Sequence, residues 1–193
     1  MKRIDTDLPG VCILEPAVFG DARGWFMESY NAKVLAGLGI SAAFVQDNQS
    51  LSRRGILRGL HYQVRQPQDK LVRCLVGAIY DVAVDVRHGS PTFGRWVGAE
   101  LTAANRRALF VPKGFAHGFL VLSDTAEVLY KVSDYWAKEH ERGLRWDDPG
   151  VGIRWPDTGV RPELNPRDAG FPTLSAIPPA DLFAWNPANQ QGI

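Results

Sequence analysis

The sequence predicts an all-β jelly-roll barrel, and three observations indicate it. Short runs rich in β-branched and aromatic residues recur along the chain, with Gly, Pro, Asn and Asp between them. One segment near the N-terminus, residues 31–38, has helical spacing, and Gly39 follows it as a stop signal. Polar, titratable residues recur at strand positions, as expected for a barrel that encloses a polar pocket. Many short strands with one clear helix are typical of a sandwich or a jelly roll.

The predicted strands follow from short alternating or β-branched runs and from the turn residues between them. They span residues 11–14, 24–30, 43–49, 56–63, 70–76, 78–87, 96–101, 108–111, 118–122 and 126–135. In the run that starts at residue 78, Asp81, Asp85 and Arg87 alternate with valines. This alternation predicts a strand with one polar and one apolar face.

The length of 193 residues suits one domain with a full hydrophobic core, and the chain shows no internal repeat. We therefore expect a single domain over residues 1–193, with a barrel core at residues 11–150. The tail, residues 154–193, is dense in proline. It is expected to wrap the barrel as loop and short helix.

Composition argues against several classes of partner and location. Lys plus Arg total 22 and Asp plus Glu total 21, so bulk charge predicts no nucleic acid or other polyanion partner. No stretch approaches the ~20 apolar residues of a membrane helix, and residues 1–9 lack the apolar core of a signal peptide. The expected location is the cytoplasm.

Cys12 and Cys74 lie in apolar runs without a C-x-x-C motif, so we expect buried, reduced thiols.

Two histidines lie in longer motifs. His61 belongs to R-G-L-H-Y-Q, and taken alone it fits a core histidine as well as a functional one. His117 belongs to P-K-G-F-A-H-G-F, whose P-x-G-x-x-H spacing resembles the second motif of the cupin superfamily of jelly-roll barrels. Cupins often bind a metal through an H-x-H pair, but Gln63 stands at the second imidazole position. Iron and zinc need three or four well-placed nitrogen, oxygen or sulfur ligands, so we expect no metal. We also expect no other cofactor.

Three further residues complete a set that suits proton abstraction from carbon, although each alone is more often inert. A histidine such as His61 can act as a base near neutral pH. A carboxylate such as Asp168 can hold its tautomer, and a cation such as Lys70 can stabilise an enolate. The hydroxyl of Tyr130 can return the proton on the opposite face of a sugar ring, which inverts the carbon.

Several longer runs together give a specific resemblance. They are V-F-G-D-A-R-G-W-F-M-E-S-Y, F-V-Q-D-N-Q-S, R-G-L-H-Y-Q, P-T-F-G-R-W-V-G, P-K-G-F-A-H-G-F and Y-K-V-S-D-Y-W. In this order, over residues 4–172, they resemble the dTDP-4-dehydrorhamnose 3,5-epimerase family. The resemblance implies a dTDP-sugar substrate, dTDP-4-dehydro-6-deoxy-D-glucose. Its C3 and C5 carbons flank the C4 ketone, and epimerisation at both gives dTDP-4-dehydro-L-rhamnose for L-rhamnose biosynthesis.

The resemblance also implies roles for the matching residues. His61 matches the base, Asp168 its carboxylate partner, Tyr130 the general acid and Lys70 the lysine near the C4 oxygen. Arg58 matches a phosphate-binding arginine. The other implied substrate contacts are Arg23, Phe26, Glu28, Gln46, Asp47, Asn48, Asp81, His117, Tyr135, Glu141 and Arg167.

The implied assembly is a homodimer with exchanged N-terminal strands, in which Arg23 and Glu28 reach the neighbouring subunit's site. Arg23 and Arg58 each precede a glycine, which leaves room for a bidentate clamp on a diphosphate. Phe26 and Tyr135 match aromatic residues near the thymine, and both also fit plain core positions.

The chain departs from the family pattern at three positions. Asp69 stands where the family often has Gly, which is expected to lower the positive potential beside Lys70. Trp136 and Arg167 stand where many members have Tyr and Lys. The tail after Phe171 is longer than the family core requires.

Three alternative functions stay open at this point. The first is a C3-only epimerase or a ketoisomerase that acts on a related dTDP-4-keto-6-deoxy sugar with the same residues. The second is a metal-dependent cupin oxygenase. The third is a non-catalytic module that binds sugar nucleotides.

Overall fold

Two antiparallel sheets face each other in the computed structural model of the protein, which describes residues 1–187. The six-stranded sheet has the order β1 (Lys2–Asp5), β2 (Cys12–Glu15), β11 (Ala108–Val111), β7 (Lys70–Val76), β13 (Thr125–Val132), β5 (Gln46–Arg53). The five-stranded sheet has the order β10 (Trp96–Thr102), β8 (Ala78–Asp85), β12 (Phe115–Val121), β6 (Leu57–Gln63), β14 (Glu141–Gly143). This pair of sheets confirms the predicted jelly-roll class.

Two shorter pairs of strands lie outside the main sheets. β3 (Val18–Asp21) and β4 (Gly24–Met27) form an antiparallel hairpin that is exposed along most of its length. β9 (Arg87–His88) pairs in parallel with β15 (Phe183–Ala184) near the end of the described chain.

Both α-helices begin at asparagine caps. Helix α1 (Ala32–Gly37) follows Asn31, whose side chain accepts hydrogen bonds from two N–H groups of the first turn. This confirms the predicted helix at residues 31–38. Helix α2 (Pro166–Ala169) follows Asn165, with proline at its first position. Short 3-10 helices span Lys138–His140, Leu174–Ala176 and Pro179–Asp181.

The main core lies between the two sheets. Val72 of β7, Val128 of β13 and Ala83 of β8 are buried together there. A second cluster lies on the outer face of the five-stranded sheet, where Leu174 and Ile177 of the tail pack. Residues 188–193 of the predicted tail lie outside the described residues.

The alternation along β8 does not separate a polar, exposed face from an apolar, buried one. The tail covers the valine face, and Asp81 and Asp85 are fully buried as well, so both faces of this strand are buried. Asp85 is stabilised there by hydrogen bonds from Arg87, Ser90 and Thr92.

Other sequence predictions had mixed outcomes. The bounds of β7 and β11 agree with prediction to the residue, and Cys12 and Cys74 are buried and free, as predicted. The predicted strand 126–135 ends at Val132 instead, so Tyr135 lies in a loop. Other strands were not predicted, because each has only two to four residues, too few to show a sequence pattern. They are β1, β3, β14 and β15. No helix within residues 1–187 has the length and apolarity that a membrane span requires.

Gly59 of β6 and Gly118 of β12 let these two strands approach closely, next to the candidate site described below. A Cβ on Gly118 would lie 2.6 Å from the carbonyl oxygen of Arg58 and 3.2 Å from the Cα of Gly59. Both neighbours are backbone, so neither can rotate away. The pairing of β12 with β6 shifts register at this point, between His117 and Phe119.

We expect Gly118→Ala to lower the free energy of unfolding by about 2 kcal/mol or more, because the added methyl overlaps the backbone of β6. Urea unfolding followed by circular dichroism measures this. The control is Gly37→Ala at the end of α1, where a Cβ meets nothing within 4 Å. The control is expected to be neutral or to stabilise by up to ~1 kcal/mol. Equal effects of the two substitutions would contradict the close-approach argument.

Candidate active site

A polar cavity of about 240 Å³ opens between the two sheets. The six-stranded sheet and the five-stranded sheet each supply side chains to it, and the loop after β13 closes one side. Its lining residues are Asn48, His61, Tyr62, Gln63, Gln68, Lys70, Tyr130, Trp136 and Glu141. The structure therefore brings together three of the four sequence-predicted catalytic residues around one cavity, and Asp168 lies directly behind His61.

His61 and Asp168 form a hydrogen-bonded pair. His61 Nε2 lies 2.8 Å from Asp168 Oδ1, and the carboxylate is fully buried. A buried carboxylate beside an imidazole accepts the ring proton, so Nε2 carries the hydrogen and Nδ1 keeps its lone pair. Arg167 Nη2 lies 3.3 Å from the same Nε2, but both nitrogens are then donors and this contact is not a hydrogen bond.

Local sequence explains how Asp168 reaches this position. The Asn165 side chain caps α2 by accepting the N–H of Asp168 at 2.8 Å, and Pro166 fits the first helical position. The second oxygen of Asp168 accepts the N–H of Gly59 at 3.0 Å. Burial raises the pKa of Asp168, but the hydrogen bond and charge of His61, the Gly59 N–H and Arg167 outweigh it. The net pKa of Asp168 is lowered, so this carboxylate is ionised.

Lys70 stands on the opposite sheet at the start of β7. Its Nζ donates to the carbonyl oxygen of His61 at 3.1 Å, and the side chain is buried. Burial lowers the pKa of Lys70 from 10.5 to about 8, although the charges of Glu141 and Asp81 act in the other direction. The ammonium is still mostly protonated at neutral pH. It can therefore stabilise negative charge that develops in the cavity.

A second histidine–carboxylate pair lies deeper, formed by His117 and Asp81. His117 Nε2 is 2.7 Å from Asp81 Oδ1, and both residues are buried. Burial lowers the pKa of His117, Asp81 opposes this, and Lys70 and His61 lower it further. Neither residue is among those that line the cavity. They lie next to its charged groups rather than at its surface.

Tyr130 faces the cavity from β13, on the sheet opposite to His61. Burial raises the pKa of Tyr130, with Arg58 lowering and Glu141 raising it, so the hydroxyl keeps its proton. Asn48 stands beside it as its pairing partner on β5. Gln46 donates to Asn48 Oδ1 at 2.8 Å and accepts the backbone N–H of Trp136 at 3.3 Å. The amides therefore connect β5 to the loop that closes the cavity.

Glu141 and Arg167 form an ion pair at the His61 end of the cavity. Arg167 Nη1 lies 2.6 Å from Glu141 Oε2, and Nη2 lies 3.2 Å from Oε1. Trp136 Nε1 donates to Glu141 Oε2 at 3.2 Å. Phe171 packs edge-on against the His61 ring, with ring centroids 5.6 Å apart.

Other predicted contacts do not line this cavity within one chain. Asp47 points to the outer face of its sheet, where it pairs with Lys131 at 2.9 Å. The Tyr135 side chain is 61% exposed, and Arg58 donates to Ser52 at 3.0 Å without lining the cavity.

The remaining predicted contacts lie on or just after the exposed hairpin. Arg23 pairs with Asp21 at 2.6 Å, and Phe26 is 69% exposed. Glu28 accepts a hydrogen bond from Asn31 at 2.9 Å, next to the start of α1. Within one chain, none of these three residues lines the cavity.

Two residues singled out in the sequence have other partners. Asp69 does not face Lys70 with its carboxylate, since it accepts from the N–H of Lys113 and the hydroxyl of Ser133. The expected loss of positive potential is therefore not supported by this geometry. Gln63 donates to the carbonyl oxygens of Gln66 and Tyr135 and so fixes the loops at the cavity rim.

Sequence reasoning did not assign a role to several residues of the site. Tyr62, Gln68 and Trp136 line the cavity, and Phe171 supports His61. The Asn165–Pro166 pair was a readable signal, because it is typical of a helix start and places Asp168 in the first turn. Among residues 1–187, no three His, Cys, Asp or Glu side chains are grouped as metal ligands.

Comparison with known proteins gives a consistent result. A family model described as dTDP-4-dehydrorhamnose 3,5-epimerase matches residues 5–176. A dTDP-4-dehydrorhamnose 3,5-epimerase of Pseudomonas aeruginosa is 57% identical over 181 residues, which cover 92% of this chain and 100% of that protein.

Two solved structures are informative. The RmlC epimerase of Legionella pneumophila, in complex with dTDP-4-keto-L-rhamnose, has a TM-score of 0.93 and 47% identity, covering 96% of this chain and 98% of that one. ChmJ, a 3'-monoepimerase from Streptomyces bikiniensis in complex with dTDP-quinovose, has a TM-score of 0.82 and 37% identity, covering 88% and 86%.

The buried ammonium of Lys70 gives a prediction about stability. Its pKa is lower in the folded chain, about 8, than the ordinary 10.5, so between these values the unfolded chain binds more protons and wild-type stability rises with pH. Met at this position does not titrate. The free energy of unfolding of Lys70→Met minus that of wild type is therefore expected to fall as the pH rises from 7 to 10.5. The expected fall is about 3 kcal/mol, at 1.36 kcal/mol per pKa unit.

Urea unfolding at both pH values measures this difference. Lys131→Met is the control, because Lys131 lies on the outer face of the same sheet in an ion pair with Asp47. Its stability relative to wild type is expected to change by less than ~1 kcal/mol over that range. A flat Lys70→Met difference would show that burial does not penalise the ammonium.

Proposed function

Since the chain belongs to the dTDP-4-dehydrorhamnose 3,5-epimerase family, we propose that it epimerises C3 and C5 of dTDP-4-dehydro-6-deoxy-D-glucose. The product is dTDP-4-dehydro-L-rhamnose. One observation carries the proposal: a carboxylate-held histidine on one sheet faces a lysine and a tyrosine on the other, across a single cavity. Those are the groups that an enolate mechanism needs.

His61 is the base in this mechanism, and Nδ1 is the atom that takes the proton. The Nε2–H bond to Asp168 leaves Nδ1 as the ring nitrogen with a free lone pair. When Nδ1 removes the proton next to the ketone, the C–H electron pair forms a carbon–carbon double bond and the carbonyl pair moves to oxygen. The imidazolium that results is stabilised by the ionised Asp168.

Lys70 supports the negative oxygen of the enolate. Its ammonium is protonated at neutral pH and lies in a buried setting, where charge interactions are stronger than in water. The proposal places the C4 oxygen of the substrate towards this side chain.

Tyr130 returns the proton in the second half of each epimerisation. It comes from the sheet opposite to His61, so its hydroxyl can approach the enolate carbon from the other face. The new C–H bond forms as the O–H bond breaks, and the configuration is inverted. Exchange with water then removes the proton from His61 and restores that of Tyr130, so no cofactor is consumed.

The proposed assembly is a homodimer in which the β3–β4 hairpin reaches the partner. The hairpin exposes Phe19, Trp25 and Phe26, and apolar side chains grouped in this way are typical of an interaction surface. Arg23 on the same hairpin would then contact the diphosphate in the partner's cavity, together with Arg58 of that subunit. Two free, buried thiols support a cytoplasmic location, where cysteines stay reduced.

An epimerase restricted to C3 is the second candidate, and the similarity to a 3'-monoepimerase favours its inclusion. The two functions are distinguished by incubating the enzyme with dTDP-4-dehydro-6-deoxy-D-glucose in D₂O. Deuterium at both C3 and C5 supports the proposed function, whereas deuterium at C3 alone supports the monoepimerase. Binding of the nucleotide sugar without exchange would identify a binding module instead.

His61→Ala is expected to lower kcat by roughly 10²–10⁴ with little change in KM, because the substitution removes the base and leaves the rest of the cavity. Turnover and deuterium incorporation measured by NMR test this. His88→Ala, a substitution at an exposed histidine of β9, is the control and should behave as wild type. Turnover like that of wild type in His61→Ala would refute the assignment of the base.

A composite site predicts complementation between two inactive subunits. His61→Ala and Arg23→Ala chains, when co-expressed, form mixed dimers in which one of the two cavities has both residues intact. Since half of the dimers are mixed, roughly one quarter of the wild-type activity should return. Co-expression of His61→Ala and Lys70→Met chains is the control, because each chain then carries a defect in its own cavity and no cavity of a mixed dimer is intact. No recovery in the first mixture would contradict the role of Arg23 across the interface.

A further inference from the structure

Arg167 lies between two carboxylates. It makes a bidentate ion pair with Glu141, with Nη1–Oε2 and Nη2–Oε1 distances of 2.6 and 3.2 Å. Its Nε lies 3.5 Å from Asp168 Oδ1, beyond the usual length of a hydrogen bond. The Arg167 side chain is 51% exposed, so these ion pairs rather than close packing set its position.

The Asp168 oxygen that faces Arg167 is also the oxygen that holds His61. It accepts the Nε2–H of the ring at 2.8 Å, and the other oxygen is taken by the N–H of Gly59. Arg167 Nη2 and His61 Nε2 are already 3.3 Å apart, and both are donors. Closer approach of the guanidinium to Asp168 would shorten this contact between two donors and would therefore push the imidazole away.

Glu141 is well placed to prevent that approach. Its side chain is only 12% exposed, and Trp136 Nε1 donates to its Oε2 at 3.2 Å. It begins β14, whose Gly143 is the pairing partner of His61 on β6. Glu141 lies only two residues before Gly143 on the same strand, so its position relative to His61 is fixed by the pairing of β14 with β6.

We propose that Glu141 is a positioning residue that holds the Arg167 guanidinium away from Asp168 and so keeps that carboxylate bonded to His61. The catalytic consequence rests on the proposed function, in which His61 is the base. Without the Glu141 charge, Arg167 turns to its other carboxylate and forms a close pair with Asp168. His61 then loses the partner that fixes its tautomer, and the imidazolium loses its stabilising charge.

The test compares Glu141→Gln, Arg167→Gln and the double variant. We expect Glu141→Gln to lower kcat about 10- to 100-fold, the usual effect of removing a group that orients a reactive one. The double variant should be faster than Glu141→Gln and close to Arg167→Gln, because the competing cation is absent. Glu139→Gln, at an exposed glutamate on the 3-10 helix before β14, is the control and should match wild type.

A spectroscopic measurement on the free protein does not depend on turnover. The His61 Nε2–H proton, observed by ¹H–¹⁵N NMR and assigned with His61→Asn, should be far downfield in wild type, weakened in Glu141→Gln and restored in the double variant. Trp136→Phe, which removes the indole N–H that donates to Glu141, should change the signal in the same direction by a smaller amount.

Two results would overturn the proposal. One is a double variant no faster than Glu141→Gln, which would mean that Glu141 acts on the substrate or on the fold. The other is an unchanged His61 signal in Glu141→Gln. Absence of deuterium exchange in wild type would instead refute the proposed function, and the NMR comparison would still report on the position of Arg167.

Discussion

The Asp168 carboxylate is buried and ionised, so it must be satisfied by donors that the fold supplies. It has two, the Nε2–H of His61 and the backbone N–H of Gly59, and both belong to β6. Hydrogen bonds to a charged group are worth about 1.5–3 kcal/mol each, and loss of either would leave the charge uncompensated. The position of α2 against the barrel, the tautomer of His61 and the identity of the free ring nitrogen therefore depend on one another.

The charges around the base are nearly balanced, which matters for a reaction that creates charge. Lys70 brings a cation whose pKa, about 8, is close to neutral because the side chain is buried. Asp81 is paired with His117 behind it, and Glu141 is paired with Arg167 in front. In the proposed mechanism, proton transfer from carbon to His61 creates an imidazolium next to Asp168 and an enolate within reach of Lys70. Each new charge is thus formed beside an existing opposite one, so little reorganisation is needed.

The sequence predicted the architecture better than the connections within the site. Apolar runs bounded by turn residues placed β7 and β11 to the residue, whereas β14, which carries Glu141, has only three residues and no readable pattern. The pairing of His61 with Asp168 spans 107 positions, so it came from the family resemblance and not from local spacing. For Asp47, the local pattern and the family resemblance point to different faces of β5. Period-2 alternation places it on the face opposite to Asn48, and the structure has it on the outer surface with Lys131.

In the proposed mechanism, the same hydrogen bonds limit how His61 can act on two carbons. The His61 ring is held by Asp168 on one side and by the edge contact with Phe171 on another, and its backbone carbonyl accepts from Lys70. Tyr130 lies on β13, a strand of the opposite sheet. If His61 is the base and Tyr130 the acid, they act from opposite sheets and do not exchange places, so reaction at the second carbon requires the sugar ring to turn between them while the nucleotide stays bound. Whether C5 follows C3 is then decided by the room and the contacts that the cavity offers to the turned ring, and not by the identity of the acid and base.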